Sequence, residues 1–204
     1  MLDQYIRPYI DPPLKAVTHR ISRTGLSANA VTVAGFAIGV MGFGALFFQS
    51  YGFAFACLLL NRLSDGLDGA LARHNGETDL GGYLDIVLDF IFYAGFVFFF
   101  VLGQPQFAIW GAFLLFCFMG TASSFLAYAI IAAKKGVNHN RQGQKSFYYL
   151  DGIAEGTETI IALVMICLFP GAFPVIASVF GVMCLLTTWG RVRLAVQNFT
   201  SEAD

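Results

Sequence analysis

The chain has 204 residues and a formal net charge of −1; hydrophobic residues make up 57%, aromatics 16% with 22 Phe, and charged residues only 12%. Charge is about half the ~25% of a soluble domain, too little to cover so much apolar surface, and without a basic run a free nucleic-acid binder is excluded too. The class that remains is a polytopic membrane protein, with room for six helices at ~20 residues per span.

The first 29 residues are polar and basic and contain three prolines, so they do not read as a cleavable signal peptide. Within them Leu14, Val17 and Ile21 recur at helical spacing, with Lys15, Arg20 and Arg23 off that stripe. This predicts an amphipathic helix lying in the membrane interface, with Pro12 and Pro13 at its start. A basic topology signal would account for the same residues equally well.

Six apolar segments follow: Val31–Phe48, Phe53–Arg73, Gly81–Leu102, Phe107–Ala133, Gly152–Phe169 and Phe173–Val192. Three of the connectors, Gln49–Gly52, Gly103–Gln106 and Pro170–Gly171, carry no charge. The 12 Lys and Arg lie elsewhere: before the first span, between the fourth and fifth (Lys134, Lys135, Arg141, Lys145), at the end of the sixth (Arg191, Arg193), and in the second (Arg62, Arg73). By the positive-inside rule both termini are cytoplasmic and the number of spans is even. The predicted class is an all-α integral membrane protein of six transmembrane helices with an N-terminal interfacial helix. Its parts are a cytoplasmic segment at 1–29, a six-helix domain at 30–194 and a cytoplasmic tail at 195–204. Cys57, Cys117, Cys167 and Cys184 fall singly in apolar runs and read as packed hydrophobes.

The second segment is a poor hydropathy candidate because it holds Arg62, Asp65, Asp68 and Arg73. If it did not cross, the Lys134–Lys145 cluster would face outside, against the N-terminal basic residues. So it crosses, and its charges need compensation. An aspartate at mid-bilayer costs roughly 2.5–3.5 kcal/mol. Asp65 and Asp68 are spaced i,i+3, and Asp85 and Asp89 i,i+4, so each pair lines one helical face. The two spans run antiparallel across the short His74–Leu80 turn, which lets the faces oppose each other. Four hard carboxylates meeting in this way suit Mg²⁺ or Mn²⁺, and two ions fit the ligand count better than one. Gly66, Gly69, Ala70 and Ala72, with Gly81 and Gly82 opposite, clear side chains from around the acids. Arg73 lies where its fork could take a phosphate. One alternative is a buried ion-pair network in which Arg62 and Arg73 neutralise two aspartates; another is a path for divalent cations through the bundle.

Written out, the segment is Asp65-Gly-Leu-Asp68-Gly69-Ala-Leu-Ala72-Arg73, seven residues, then Gly81-x3-Asp85-x3-Asp89. It resembles the signature of the CDP-alcohol phosphatidyltransferase family, D-x2-D-G-x2-A-R-x7/8-G-x3-D-x3-D, at every fixed position. Lys145-Ser-Phe-Tyr-Tyr149 and Glu155-Gly-Thr-Glu-Thr159 extend the likeness to small bacterial inner-membrane members whose acceptor is unassigned. The resemblance implies a phosphotransferase for substituted phosphate groups. It would move a phosphatidyl group from CDP-diacylglycerol to the hydroxyl of an alcohol, release CMP, depend on Mg²⁺ or Mn²⁺, and work as a homodimer in a bacterial inner membrane. Carried over by position, Asp65, Asp68, Asp85 and Asp89 would bind metal, and Asp89 would also be the catalytic base. Asp68, Gly69, Ala72, Arg73 and Gly81 would form the CDP pocket. Asn29 and Thr32 would join them, although Ala28 stands where the family often has Pro before the Asn.

For the acceptor the residues offer two opposed hints. Lys134, Lys135 and Arg191 could hold a phosphorylated acceptor, or could simply anchor the cytoplasmic side. Asp151, Glu155 and Glu158 recur at four and three residues and give the fifth span an acidic face. The Glu155 and Glu158 carboxylates would repel phosphate and favour an amine or an uncharged polyol, or equally could complement the helix dipole. Besides the transferase, the same acids would suit a divalent-cation transporter, and a catalytically silent CDP-lipid-binding member would keep the same motif.

Overall fold

A computed structural model describes Thr18 and residues 25–134 and 152–200, and six α-helices make up nearly all of these described residues. They are α1 (Ala28–Phe47), α2 (Tyr51–Asn75), α3 (Asp79–Gly103), α4 (Ala108–Lys134), α5 (Gly156–Leu168) and α6 (Phe173–Thr200). One-turn 3₁₀ helices at Pro105–Phe107 and Pro170–Ala172 lead into α4 and α6. No strand occurs among the described residues. The interfacial helix expected near the N-terminus, and Lys135, Arg141, Lys145 and Asp151, lie outside the described residues.

The helix ends follow from local chemistry. The Ser27 side chain caps α1 by accepting from the Ala30 amide at 3.2 Å, and Thr78 caps α3 by accepting from Gly81 at 3.1 Å. Gly76 closes α2 at φ +102°, a backbone conformation that side chains disfavour, and so turns the chain sharply into α3. The α1–α2 and α3–α4 connections meet at the other end of the bundle, where Gln49 donates to the Gly103 carbonyl at 2.7 Å and Gln104 donates to the Tyr51 hydroxyl.

Four segments are long and apolar enough to cross a membrane: Ala28–Phe47, Asp79–Gly103, Pro105–Lys134 and Pro170–Thr200. Helix α2 has the length, at 25 residues, but carries the charged motif. Helix α5 has only 13 residues, about 20 Å, against a hydrocarbon core of ~30 Å. It begins at Gly156 rather than at the expected Gly152 because Glu155 is its N-cap. Helix α6 runs on to Thr200, through residues expected in the tail.

Helix α1 packs along both α2 and α3, α4 lies along α6 and against α3, and α5 contacts α2 and α6. The core is largely phenylalanine: Phe43, Phe92, Phe96, Phe100 and Phe173 are all buried, with the Phe100 and Phe173 rings 4.5 Å apart and Phe43 stacked on Phe92 at 5.8 Å. The four cysteines are buried free thiols, as expected. Large apolar side chains such as Ile109, Phe116, Met119 and Trp189 point outward, as a lipid-facing surface requires. Gly35 and Gly39, a GxxxG pair that could have served association of two chains, are buried within one. A Cβ on Gly35 would stand 2.5 Å from that of Ser64, and one on Gly39 would stand 2.8 Å from the Phe92 ring. The pair is used to bring α1 against α2 and α3.

Candidate active site

Helices α2 and α3 run antiparallel from the Gly76–Thr78 turn, so position along each helix sets depth. Asp68 and Asp85 lie about 10 Å from that end and Asp65 and Asp89 about 15 Å, at 1.5 Å per residue. Arg62 and Tyr93 form the next layer inward, about 20 Å in. All four aspartates line one small cavity, together with Thr32 from α1 and Asn61 and Arg62 from α2.

Within that cavity the acids divide three to one. Asp65, Asp68 and Asp85 offer one carboxylate oxygen each, all within 4.8 Å of one another. Asp68 is only 4% exposed, and its Oδ2 is buried with no hydrogen-bond partner. A buried carboxylate oxygen without a donor is costly, and two more carboxylates beside it raise the cost. A hard divalent cation is the group that removes both penalties, and a set of carboxylate oxygens is the donor set that Mg²⁺ and Mn²⁺ take. The residues therefore fit such an ion.

Asp89 stands apart from this group. Its Oδ1 accepts from Arg62 Nη2 at 2.8 Å, and its Oδ2 accepts from the Tyr93 hydroxyl at 3.2 Å. Arg62 is itself held from several sides. Its Nε and Nη2 donate to Asn61 Oδ1 at 2.9 and 2.6 Å, and its Nη1 donates to Tyr93 at 2.9 Å. Asn61 in turn donates to the Gly35 carbonyl at 2.9 Å, which ties the cluster to α1. Asp65 is 3.7 Å from Arg62 Nη1. An ion-pair network thus exists, but among the described residues it is built on Arg62: Arg73 is exposed, one turn beyond the acids.

The expected nucleotide residues gather at the same end. Arg73 folds back so that its Nη1 lies 3.3 Å from where a Cβ on Gly69 would sit. A Cβ on Gly81 would come within 3.0 Å of Thr78 Oγ1 and 3.1 Å of Asn29 Oδ1, so glycine there lets α1 and α3 converge. Thr32 bonds back to the Ala28 carbonyl at 3.1 Å, and Ala72 is half-buried beside Arg73.

Of the acceptor candidates, Glu155 and Glu158 form a reciprocal capping box at the start of α5, with the Glu155 amide donating to Glu158 Oε2 at 3.2 Å. Arg191 donates to the Thr121 carbonyl at 3.0 Å and lies over the Phe125 ring, joining α6 to α4. Lys134 is exposed at the end of α4. The structure does not bring these residues into the aspartate cavity. Two residues that line or close it, Asn61 and Tyr93, were not singled out from the sequence. Their signal was faint: a lone polar residue beside Arg62, and a tyrosine at i+4 from Asp89.

The family model for CDP-alcohol phosphatidyltransferase matches residues 26–190. The chain belongs to that family. Inner membrane protein YnjF of Escherichia coli (strain K12) is 49% identical over 193 residues, 94% of each chain. An uncharacterized protein of Aquifex aeolicus (strain VF5) is 30% identical over 168 residues, 80% of this chain and 79% of its own. Archaetidylinositol phosphate synthase of Pyrococcus horikoshii is 32% identical over 99 residues, 48% of this chain and 53% of the other. At the level of the family this is a transferase of phospholipid synthesis, acting on CDP-alcohol substrates and membrane lipids. The inner-membrane relative and the four long apolar helices support a bacterial inner-membrane location.

Proposed function

We propose that this protein transfers a phosphatidyl group from CDP-diacylglycerol to the hydroxyl of an alcohol and releases CMP. In this reading α2 and α5 cross with the other four helices and both termini are cytoplasmic. The aspartates then lie about 10–15 Å in from the cytoplasmic helix ends, where a polar nucleotide can reach them while acyl chains stay in lipid.

The observation that supports this most is the buried, unpartnered Oδ2 of Asp68 between Asp65 and Asp85. Those three residues would hold a divalent cation, Mg²⁺ or Mn²⁺, whose charge would offset that of the pyrophosphate and of the departing CMP. Arg73 would supply a fork of N–H donors to a phosphate, and Gly69 and Gly81 would admit the nucleotide close to the backbone. Asp89 is the general base. Arg62 and Tyr93 hold its carboxylate in place, and it lines the cavity where an acceptor hydroxyl would enter. It takes the hydroxyl proton while the acceptor oxygen bonds to the diacylglycerol-linked phosphorus and the bond to the CMP oxygen breaks. A homodimer remains part of this reading, formed through a face other than the internal Gly35–Gly39 pair.

Arg62 also weighs against a cation path, because a buried guanidinium among the acids repels a passing ion. The test is purified full-length protein with CDP-diacylglycerol, Mg²⁺ or Mn²⁺, and a panel of phosphorylated polyols, free polyols and amino alcohols. We expect CMP release with one acceptor class. CMP release with none of them would overturn the reading and favour a silent CDP-lipid binder.

A further inference from the structure

Arg62 is fixed by Asn61, Phe92 and Tyr93 as well as by the aspartates. Asn61 accepts two of its N–H bonds, Tyr93 accepts a third, and its guanidinium carbon lies 4.9 Å from the Phe92 ring centroid and 5.2 Å from that of Tyr93. Its side chain is 11% exposed. It also sits about 20 Å from the Asn75 end of α2 and about 17 Å from the Tyr51 end, beyond the reach of an arginine side chain to either. From this position one edge of the guanidinium reaches Asp89 at 2.8 Å and Asp65 at 3.7 Å. Those are the two acids at the same depth on facing helices, the pair that a second metal ion would have to bridge.

We propose that the Arg62 guanidinium is a resident cation occupying the place of a second metal ion, so that the site holds one divalent ion, at Asp65, Asp68 and Asp85. This rests on the metal-dependent reading above and departs from the two ions expected from ligand count. A second ion between Asp65 and Asp89 would have to expel Arg62 from its buried partners or lie within a few ångströms of its charge. Both are unfavourable in a low-dielectric span. Asn61 and Tyr93 are then positioning residues, which keep the cation in the second site when no substrate is bound.

The proposal is tested by Mn²⁺ binding to the full-length protein in detergent, followed by calorimetry and electron paramagnetic resonance. We expect one Mn²⁺ per chain with the spectrum of an isolated ion. Asp89→Asn should leave that stoichiometry unchanged and its Kd within about threefold. Arg62→Met should admit a second Mn²⁺, magnetically coupled to the first as for ions about 4 Å apart. Two ions in the unaltered chain, or loss of the bound ion in Asp89→Asn, would overturn the role of Arg62 while leaving a metal-dependent transferase standing. One ion in both the unaltered chain and a folded Arg62→Met would also overturn it. No bound ion in the unaltered chain would overturn this inference and the metal-dependent reading together.

Discussion

At the start of α5, Glu155 and Glu158 meet the backbone: each carboxylate accepts from an amide of the first turn, and together they end one helix in a standard way. On α2 and α3, Asp65, Asp68 and Asp85 crowd within 4.8 Å, and the most buried of them keeps an oxygen with no donor. The two groups look alike in sequence, since both are acids three to four residues apart near the end of an apolar run. Their hydrogen bonds separate them. The acids that cap α5 are engaged by its own backbone, whereas Asp68 leaves an oxygen for something the chain does not supply.

Substitutions can break this contrast. Asp68→Asn should have the largest effect, lowering CMP release by on the order of a thousandfold, since several kcal/mol of charge stabilisation go with the bound cation. Mn²⁺ binding should fall with it. Asp89→Asn should lower kcat by about a hundredfold or more, as loss of a general base does, with nucleotide affinity largely kept; near-normal turnover would remove Asp89 as the base. Arg73→Ala should raise KM for CDP-diacylglycerol by roughly 10- to 100-fold, the worth of one charged hydrogen-bonding group, with a smaller change in kcat.

The mildest effects belong to α5. Glu158→Ala leaves the Glu155 amide unmet and should cost about 1 kcal/mol, a fall in Tm of about 2–4 °C, with turnover within about twofold. Glu155→Gln and Glu158→Gln should leave acceptor KM unchanged. A large shift there would mean that these carboxylates face the acceptor after all.

Much of this was legible from residue spacing. The apolar runs locate α1, α2, α3, α4 and α6 to within a few residues at their starts, because long periods of apolar sequence have one way to be buried. Helix α5 begins four residues later than the apolar run predicts, since apolar content continues through Ile153 and Ala154 while the capping box at Glu155 decides where the helix begins. The convergence of Asp65, Asp68 and Asp85 followed from i,i+3 and i,i+4 spacing on antiparallel neighbours. The separation of Asp89 from them did not. It depends on the reach of one arginine and on which partners orient it, and neither Asn61 nor Tyr93 announces itself in an apolar run. Arg73 stands about one turn beyond the acids, as its spacing from Asp68 implies, and is exposed where a ligand rather than an aspartate would meet it.

The most direct measurement is CMP release from CDP-diacylglycerol by full-length protein stripped of divalent ions and then titrated with Mn²⁺. It should be run beside Asp68→Asn, with the acceptor that supports turnover. The account expects no release from the stripped protein, saturable recovery in the unaltered chain, and no recovery in the variant at any Mn²⁺ concentration. Undiminished release from the stripped protein, or equal recovery in Asp68→Asn, would contradict it.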